Sequence, residues 1–167
     1  MTPLAITGYE FSVFLHITAV VVGFGATFAE AVMFPVALKT STRHLPYVHQ
    51  LQLTINQRFA APAMVVVLAT GIYQVADADY VDFSDFWISA TFAIVLAIGA
   101  INGAYFIPTD RKLGAMVERE LDAVGGGEVA LSEEYQRAAK TEGLMGALTG
   151  ALVVIAIFLM VDKPGLG

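Results

Sequence analysis

Four long apolar stretches decide what this chain can fold into. They cover residues 10–38, 53–76, 86–107 and 133–160. A bilayer core about 30 Å thick is crossed by roughly 20 apolar helical residues, and each stretch reaches that length. None alternates residue by residue in short segments, as barrel strands do. Charged residues make up only 14% of the chain, against about 25% in a soluble domain. Too few charges remain to clothe a water-facing surface. The sequence therefore predicts an all-α fold: one polytopic transmembrane domain over residues 1–167, built as a four-helix bundle in a lipid bilayer.

Charge placement predicts the orientation. The connection at 39–52 carries Lys39 and Arg43, with Arg58 just beyond it. The connection at 109–140 carries Arg111, Lys112, Arg119, Arg137 and Lys140. The connection at 77–85 has no Lys or Arg but holds Asp77, Asp79, Asp82 and Asp85. Of the nine basic residues, only Lys163 lies elsewhere. Lys and Arg are retained in the cytoplasm, so both termini and the acidic connection are expected on the extracytoplasmic side of a bacterial inner membrane. Residues 1–8 have no basic residue and no cleavage pattern, and the first span is expected to act as its own insertion signal. Tyr80, Phe83, Phe86 and Trp87 suit an interfacial aromatic belt.

The third connection has internal order. Leu113, Met116, Val117 and Leu121 fall at helical spacing. They predict a short cytoplasmic amphipathic helix, starting near Pro108 and ended by Gly125, Gly126 and Gly127. Ser132, followed by Glu133 and Glu134, reads as the cap of the last helix. No internal repeat is evident. Small residues replace hydrophobic drive in membrane packing. Gly99 with Gly103, Gly146 with Gly150, and the Ala19, Gly23, Ala26, Thr27 stripe are candidate contacts within the bundle or with a second copy. Pro62 is expected to kink the second helix.

Several polar residues lie at membrane depth, where an isolated charge costs a few kcal/mol or more. Glu30, Arg58, Asn102 and Glu142 come from four different spans and share one level near the cytoplasmic face. Arg58 is expected to pair with Glu30 or Glu142, with Asn102 bridging. Loss of Arg58 is then expected to destabilise the bundle more than loss of His16. The level reads either as a structural clasp or as a proton or cation site. His16 is the one histidine within a span, on the same face of its helix as Gly23 and Glu30. It reads either as a packed histidine or as a ligand to haem or a metal. His44 and His49 are expected on the surface. Met33, Met64 and Met145 are soft donors that could serve copper(I) or simply fill space.

FLHITAVVVGFGATFAEAVMFPVAL, AAPAMVVVLATGIYQV, FWISATFAIVLAIGAINGAYFIPTDRKL and FLMVDKPG resemble an uncharacterised family of predicted integral membrane proteins frequent in actinobacteria. Through it the chain resembles a wider group that includes the copper-resistance protein D type and the haem-dependent protoporphyrinogen oxidase J type. The resemblance implies small four-helix membrane proteins. In the oxidase type the first-helix histidine takes part in haem binding, and that position is His16 here. The resemblance thus implies haem b as a cofactor. The oxidase pattern also has a lysine and a histidine in the third helix, where this chain has Ser89, Thr91 and Asn102 as its polar members.

Other classes are excluded. A net charge of −6 does not suit nucleic acid, which selects basic patches. The chain has no cysteine, so disulfides, thiolate metal sites and iron–sulfur clusters are impossible. No Gly-x-Ser-x-Gly, phosphate loop or His-Glu-x-x-His occurs. Three readings stand: a haem- or metal-associated protein using His16; a small, oligomeric channel or transporter using Glu30, Arg58, Asn102 and Glu142; and an accessory subunit of a larger membrane complex.

Overall fold

The computed structural model describes residues 6–125 and 127–165, so Gly126 lies outside the described residues, as do residues 1–5. Everything regular within them is helical. The helices are α1 (Gly8–Thr40), α2 (Leu45–Ile55), α3 (Ala61–Asp77), α4 (Phe86–Ile101), α5 (Ile107–Ala123) and α6 (Glu133–Asp162). Two wide, π-helical turns weld them into longer rods: Asn56–Ala60 joins α2 to α3, and Asn102–Phe106 joins α4 to α5. The result is four rods of 33, 36, 38 and 30 residues, each long and apolar enough to cross a membrane.

Local chemistry sets the ends. Thr7 and Glu10 form a reciprocal capping box at the start of α1. Ser41, in extended backbone, ends α1, and its hydroxyl accepts from Arg43 N–H to start the next rod. The Ser132 hydroxyl accepts from Tyr135 N–H, so the expected cap of α6 is in place. Gly125 adopts φ +69° after α5, a left-handed backbone suited to glycine.

A proline follows each wide turn at the same distance: Asn56 and Pro62, Asn102 and Pro108. Proline has no N–H and crowds the carbonyl four residues back. Adding a residue to the preceding turn relieves that clash while keeping the rod continuous. The kink expected at Pro62 thus takes the form of a local bulge. An Asn-x5-Pro pattern, used twice, is thus a short internal repeat where none was expected.

At about 1.5 Å per residue, the rods exceed a hydrocarbon layer about 30 Å thick. All four reach the acidic connection or its level, at Gly8, Asp77, Phe86 and Asp162. Roughly 20 residues from there brings each rod to the region of Glu30, Asn56, Phe106 and Glu142. The remainder stands beyond the hydrocarbon as a second zone. There α2 packs on α5, with α6 and the end of α1 closing around them. Its core is Leu45, Val48, Leu113, Val117, Leu121 and Tyr135. In the membrane zone α1 packs on α3 and α4 on α6, and apolar side chains such as Val65 and Phe158 face outward.

Two expectations change here. Residues 42–52 are helical, because Leu45, Val48, His49 and Gln52 form one buried face against α5. The amphipathic helix exists with Leu113, Val117 and Leu121 buried as expected, but it continues the third span and does not lie apart on the surface. Its apolar stripe has found a protein partner, α2.

The glycines also divide. A Cβ at Gly23 would stand 2.8 Å from the Ala63 Cβ, so α1 and α3 cross in direct contact there. A Cβ at Gly103 or Gly146 would meet nothing within 4 Å. Those two do not serve as packing contacts among the described residues. Trp87 is buried beside Ile88 and Leu159, with Lys163 Nζ 5.6 Å from its ring centroid. It belongs to the core, while Tyr80, Phe83 and Phe86 are exposed.

Candidate functional site

Where the two zones meet, the helices turn polar groups inward. The face of α2 that buries Leu45 and Val48 also buries His49 and Gln52. The first turns of α5 bury Asp110, and α6 buries Tyr135 and Glu142. Glu30 comes from α1. The wide turns supply Asn56 and Asn102, and a widened turn frees a side chain to leave the ordinary helical face.

A chain of hydrogen bonds organises the centre. Asn102 Nδ2 donates to Asn56 Oδ1 at 3.0 Å, and Asn56 Nδ2 donates to Asp110 Oδ2 at 3.3 Å. The other Asp110 oxygen lies 3.8 Å from His49 Nδ1, too far for a hydrogen bond. On its far side, His49 Nε2 is 2.7 Å from the Tyr135 hydroxyl. Ligand atoms of His49, Asp110 and Glu142 all lie within 4.8 Å of one another, and all three residues are buried.

The polar accounting does not close. Glu30 Oε1, His49 Nδ1, Gln52 Oε1, Asp110 Oδ1 and Glu142 Oε1 are buried without a hydrogen-bond partner. Buried polar groups are normally satisfied, so five orphans in one place call for a ligand. Among the described residues, no Lys or Arg lies within ion-pair distance of Glu30, Asp110 or Glu142. Buried acids without a basic partner need a proton or a metal ion to balance them. Glu30, Gln52, Asn56, Asn102, Asp110 and Glu142 line a cavity of about 500 Å³, with Gly143, Gly146 and Gly150 along one wall.

The four polar residues expected to share a level separate into two groups. Glu30, Asn102 and Glu142 do meet on this cavity. Arg58 does not: it is exposed and forms no ion pair among the described residues. Its place in the wide turn points it away from the bundle, at the level where a long cationic side chain reaches headgroups. Asn56, two residues earlier, takes the inward position. The expectation that Arg58 outweighs His16 in stability loses its basis. His49 is the opposite miss. It is almost fully buried (1% exposed), because α2 is a packed helix and not a loop. The four-residue steps from Leu45 to His49, and from Val48 to Gln52, were the available signal.

His16 occupies a second cavity toward the acidic end, about 370 Å³ in volume and walled by Val20, Trp87, Phe92 and Met160, among others. Its Nδ1 lies 2.8 Å from Thr70 Oγ1. The Thr70 hydroxyl donates to Val66 O at 2.6 Å, which leaves its oxygen free to accept from His16 Nδ1–H. Gly23, on the same helical face, is filled by Ala63 and offers no room for a flat ligand. Phe24 and Val67 line both cavities.

The chain was compared with known proteins. No curated protein and no solved structure matches it. Residues 11–164 match the family model described as "Predicted integral membrane protein (DUF2269)". That match covers all four membrane-length rods but for a few terminal residues of α1, together with every residue of the polar cluster. The chain belongs to this family of integral membrane proteins.

Proposed function

We propose that this protein is a small membrane carrier of protons or cations. The group formed by half-buried Glu30 and buried His49, Asp110 and Glu142 is its binding site. The observation that carries this reading is the set of unpartnered acid oxygens with no Lys or Arg within ion-pair distance among the described residues, His49 being the one basic group beside them. Two further features support it. The His16 cavity and the acidic cavity share Phe24 and Val67 as walls, so the two adjoin within the membrane zone. Glycines without packing partners leave the α6 wall of the inner cavity open. The basic residues around the second zone favour a cytoplasmic location for it, in a bacterial inner membrane, with both termini outside.

Reconstitution in liposomes containing a pH-sensitive dye tests the reading. An imposed potential is expected to drive proton uptake in the wild type. Glu142→Gln is expected to remove that uptake, and Arg58→Gln to leave it intact. Equal flux in wild type and Glu142→Gln would sink the proposal.

A second reading rests on His16. His16 lines an apolar cavity that Met160 and Lys163 also line. These groups fit haem b in donor type: an imidazole, a thioether and a cation for a propionate. The volume lies at the low end of the range of about 300–1,000 Å³ for such sites. The resemblance to the haem-dependent oxidase J type points the same way. Bound haem would supply one-electron chemistry, while Thr70 fixes the His16 tautomer. A Soret band in the purified protein, absent in His16→Ala, is the expected result. A featureless spectrum after haem is supplied would rule it out.

A further inference from the structure

We infer that His49, Asp110 and Glu142 form a site for a divalent first-row transition metal ion, with Tyr135 positioning the imidazole. This names the cargo, or a resident ion, of the carrier site and rests on that reading only for its transport consequence. The binding argument is independent of it. Each of the three residues is at least nine-tenths buried, and each presents an unpartnered atom to the others: Nδ1, Oδ1 and Oε1. Two ligands on one such ion, each about 2.0–2.2 Å from it, lie roughly 3–3.5 Å apart. His49 Nδ1 and Asp110 Oδ1 are 3.8 Å apart and the three ligand atoms all lie within 4.8 Å of one another, so the side chains must draw together to close the triangle around an ion.

The supporting groups are also of the right kind. A ligating histidine uses its second nitrogen to hold its tautomer. Here Nε2 is 2.7 Å from the Tyr135 hydroxyl. With Nε2–H donating to the Tyr135 oxygen, Nδ1 is left as a bare lone pair toward Asp110. Asp110 is oriented in turn by Asn56, and Asn56 by Asn102. Gln52 Oε1 and Glu30 Oε1 are further unpartnered oxygens on the adjoining cavity. One imidazole with carboxylates suits zinc, cobalt, iron or manganese. It disfavours copper(I), which selects soft sulfur, and magnesium or calcium, which select oxygen alone.

The test uses purified, tag-free protein in detergent, with cobalt(II) as spectroscopic probe and zinc(II) as competitor. One equivalent of cobalt is expected, with visible ligand-field bands that zinc abolishes. Asp110→Asn and Glu142→Gln are expected to lose the bands. Tyr135→Phe is expected to weaken binding about 10- to 100-fold, the range for a residue behind the ligands. His44→Ala, at an exposed histidine, is expected to bind as wild type does. Thermal melts of the same samples report whether each variant is folded, and the conservative Tyr135→Phe carries the test if a ligand variant is not. No cobalt or zinc uptake by the wild type would overturn the inference, as would unaltered binding in Asp110→Asn and Glu142→Gln. Proton flux in chelator-treated liposomes separates the two readings. Proton flux without metal binding overturns the metal site alone; metal binding with neither proton nor zinc flux overturns the carrier alone.

Discussion

Leu113 and Val161 are both aliphatic residues on long helices, yet the first is 0% exposed and the second 78%. Leu113 belongs to the zone beyond the hydrocarbon, where α2, α5 and α6 enclose an apolar core. Val161 belongs to the membrane zone, where lipid is as apolar as another helix and little is gained by turning inward. Of the largest fully buried side chains, Tyr135, Leu45, Leu113, His49 and Val117 lie in the first zone, and Ile88 and Val153 in the second. The shorter, more polar part of the molecule is thus packed in the manner of a water-soluble protein. It holds the acidic cluster against the membrane zone from one side. The difference teaches where precision comes from: a buried polar cluster is held in place by a core that water enforces.

Substitutions can break this comparison, and the largest effect is expected from the core beyond the membrane. Leu113→Ala is expected to cost about 2–5 kcal/mol in reversible unfolding in detergent. Val161→Ala, facing lipid, is expected to change almost nothing. Equal losses would show that the two zones are held by the same force. Gly23→Val comes next. Its side chain would meet Ala63 where even a Cβ is too close, and overpacking of this kind costs about 1–3 kcal/mol.

The site itself offers a change of opposite sign. Glu142→Leu replaces an unpartnered buried acid by an apolar residue of similar size. Removing a buried acid that has no partner relieves its desolvation cost, so stability is expected to hold or rise. A higher melting temperature together with lost flux would mark Glu142 as kept for function. A clear loss of stability would mark it as a structural clasp. Gly146→Ala, in open space, is expected to gain the roughly 1 kcal/mol by which alanine exceeds glycine in a helix interior. A loss there would mean that a second copy or a partner packs on that wall.

The smallest expected effect is at the surface of the outer zone. Glu128 accepts from the hydroxyls of Ser41 and Thr42 and from Thr42 N–H, tying the 124–132 connection to the start of the second rod. The Ser41 and Thr42 hydroxyls hold the Glu128 carboxyl below the ordinary glutamate range. A carboxyl lowered in the folded state adds stability that is complete above its unfolded pKa, near 4.3. That stability is lost as pH falls through the folded value. Glu128→Gln is therefore expected to melt slightly below wild type at pH 7, with the gap closing as pH falls through the folded value. A gap that does not change with pH would assign the effect to packing.

Much of the architecture was legible in the residues themselves. Length and apolarity announce four spans, since a lipid interior forces every backbone group to be satisfied within its own helix. The stripe of Leu113, Val117 and Leu121 announced an amphipathic helix, and Ser132 announced a cap. Glu30, Asn102 and Glu142 could be placed at one depth because depth follows from counting along a rod. Counting gives height but not azimuth. A widened turn at Asn56–Ala60 shifts every later residue around the axis, so Arg58 faces outward and Asn56 inward. The same limit hid His49, whose segment is polar enough to pass for a loop until α5 is laid against it. Sequence alone therefore determined the solvent of each segment, because transfer between water and lipid is a property of the residues. Only the tertiary structure decided which polar groups meet, because meeting depends on the rotation of one helix against another.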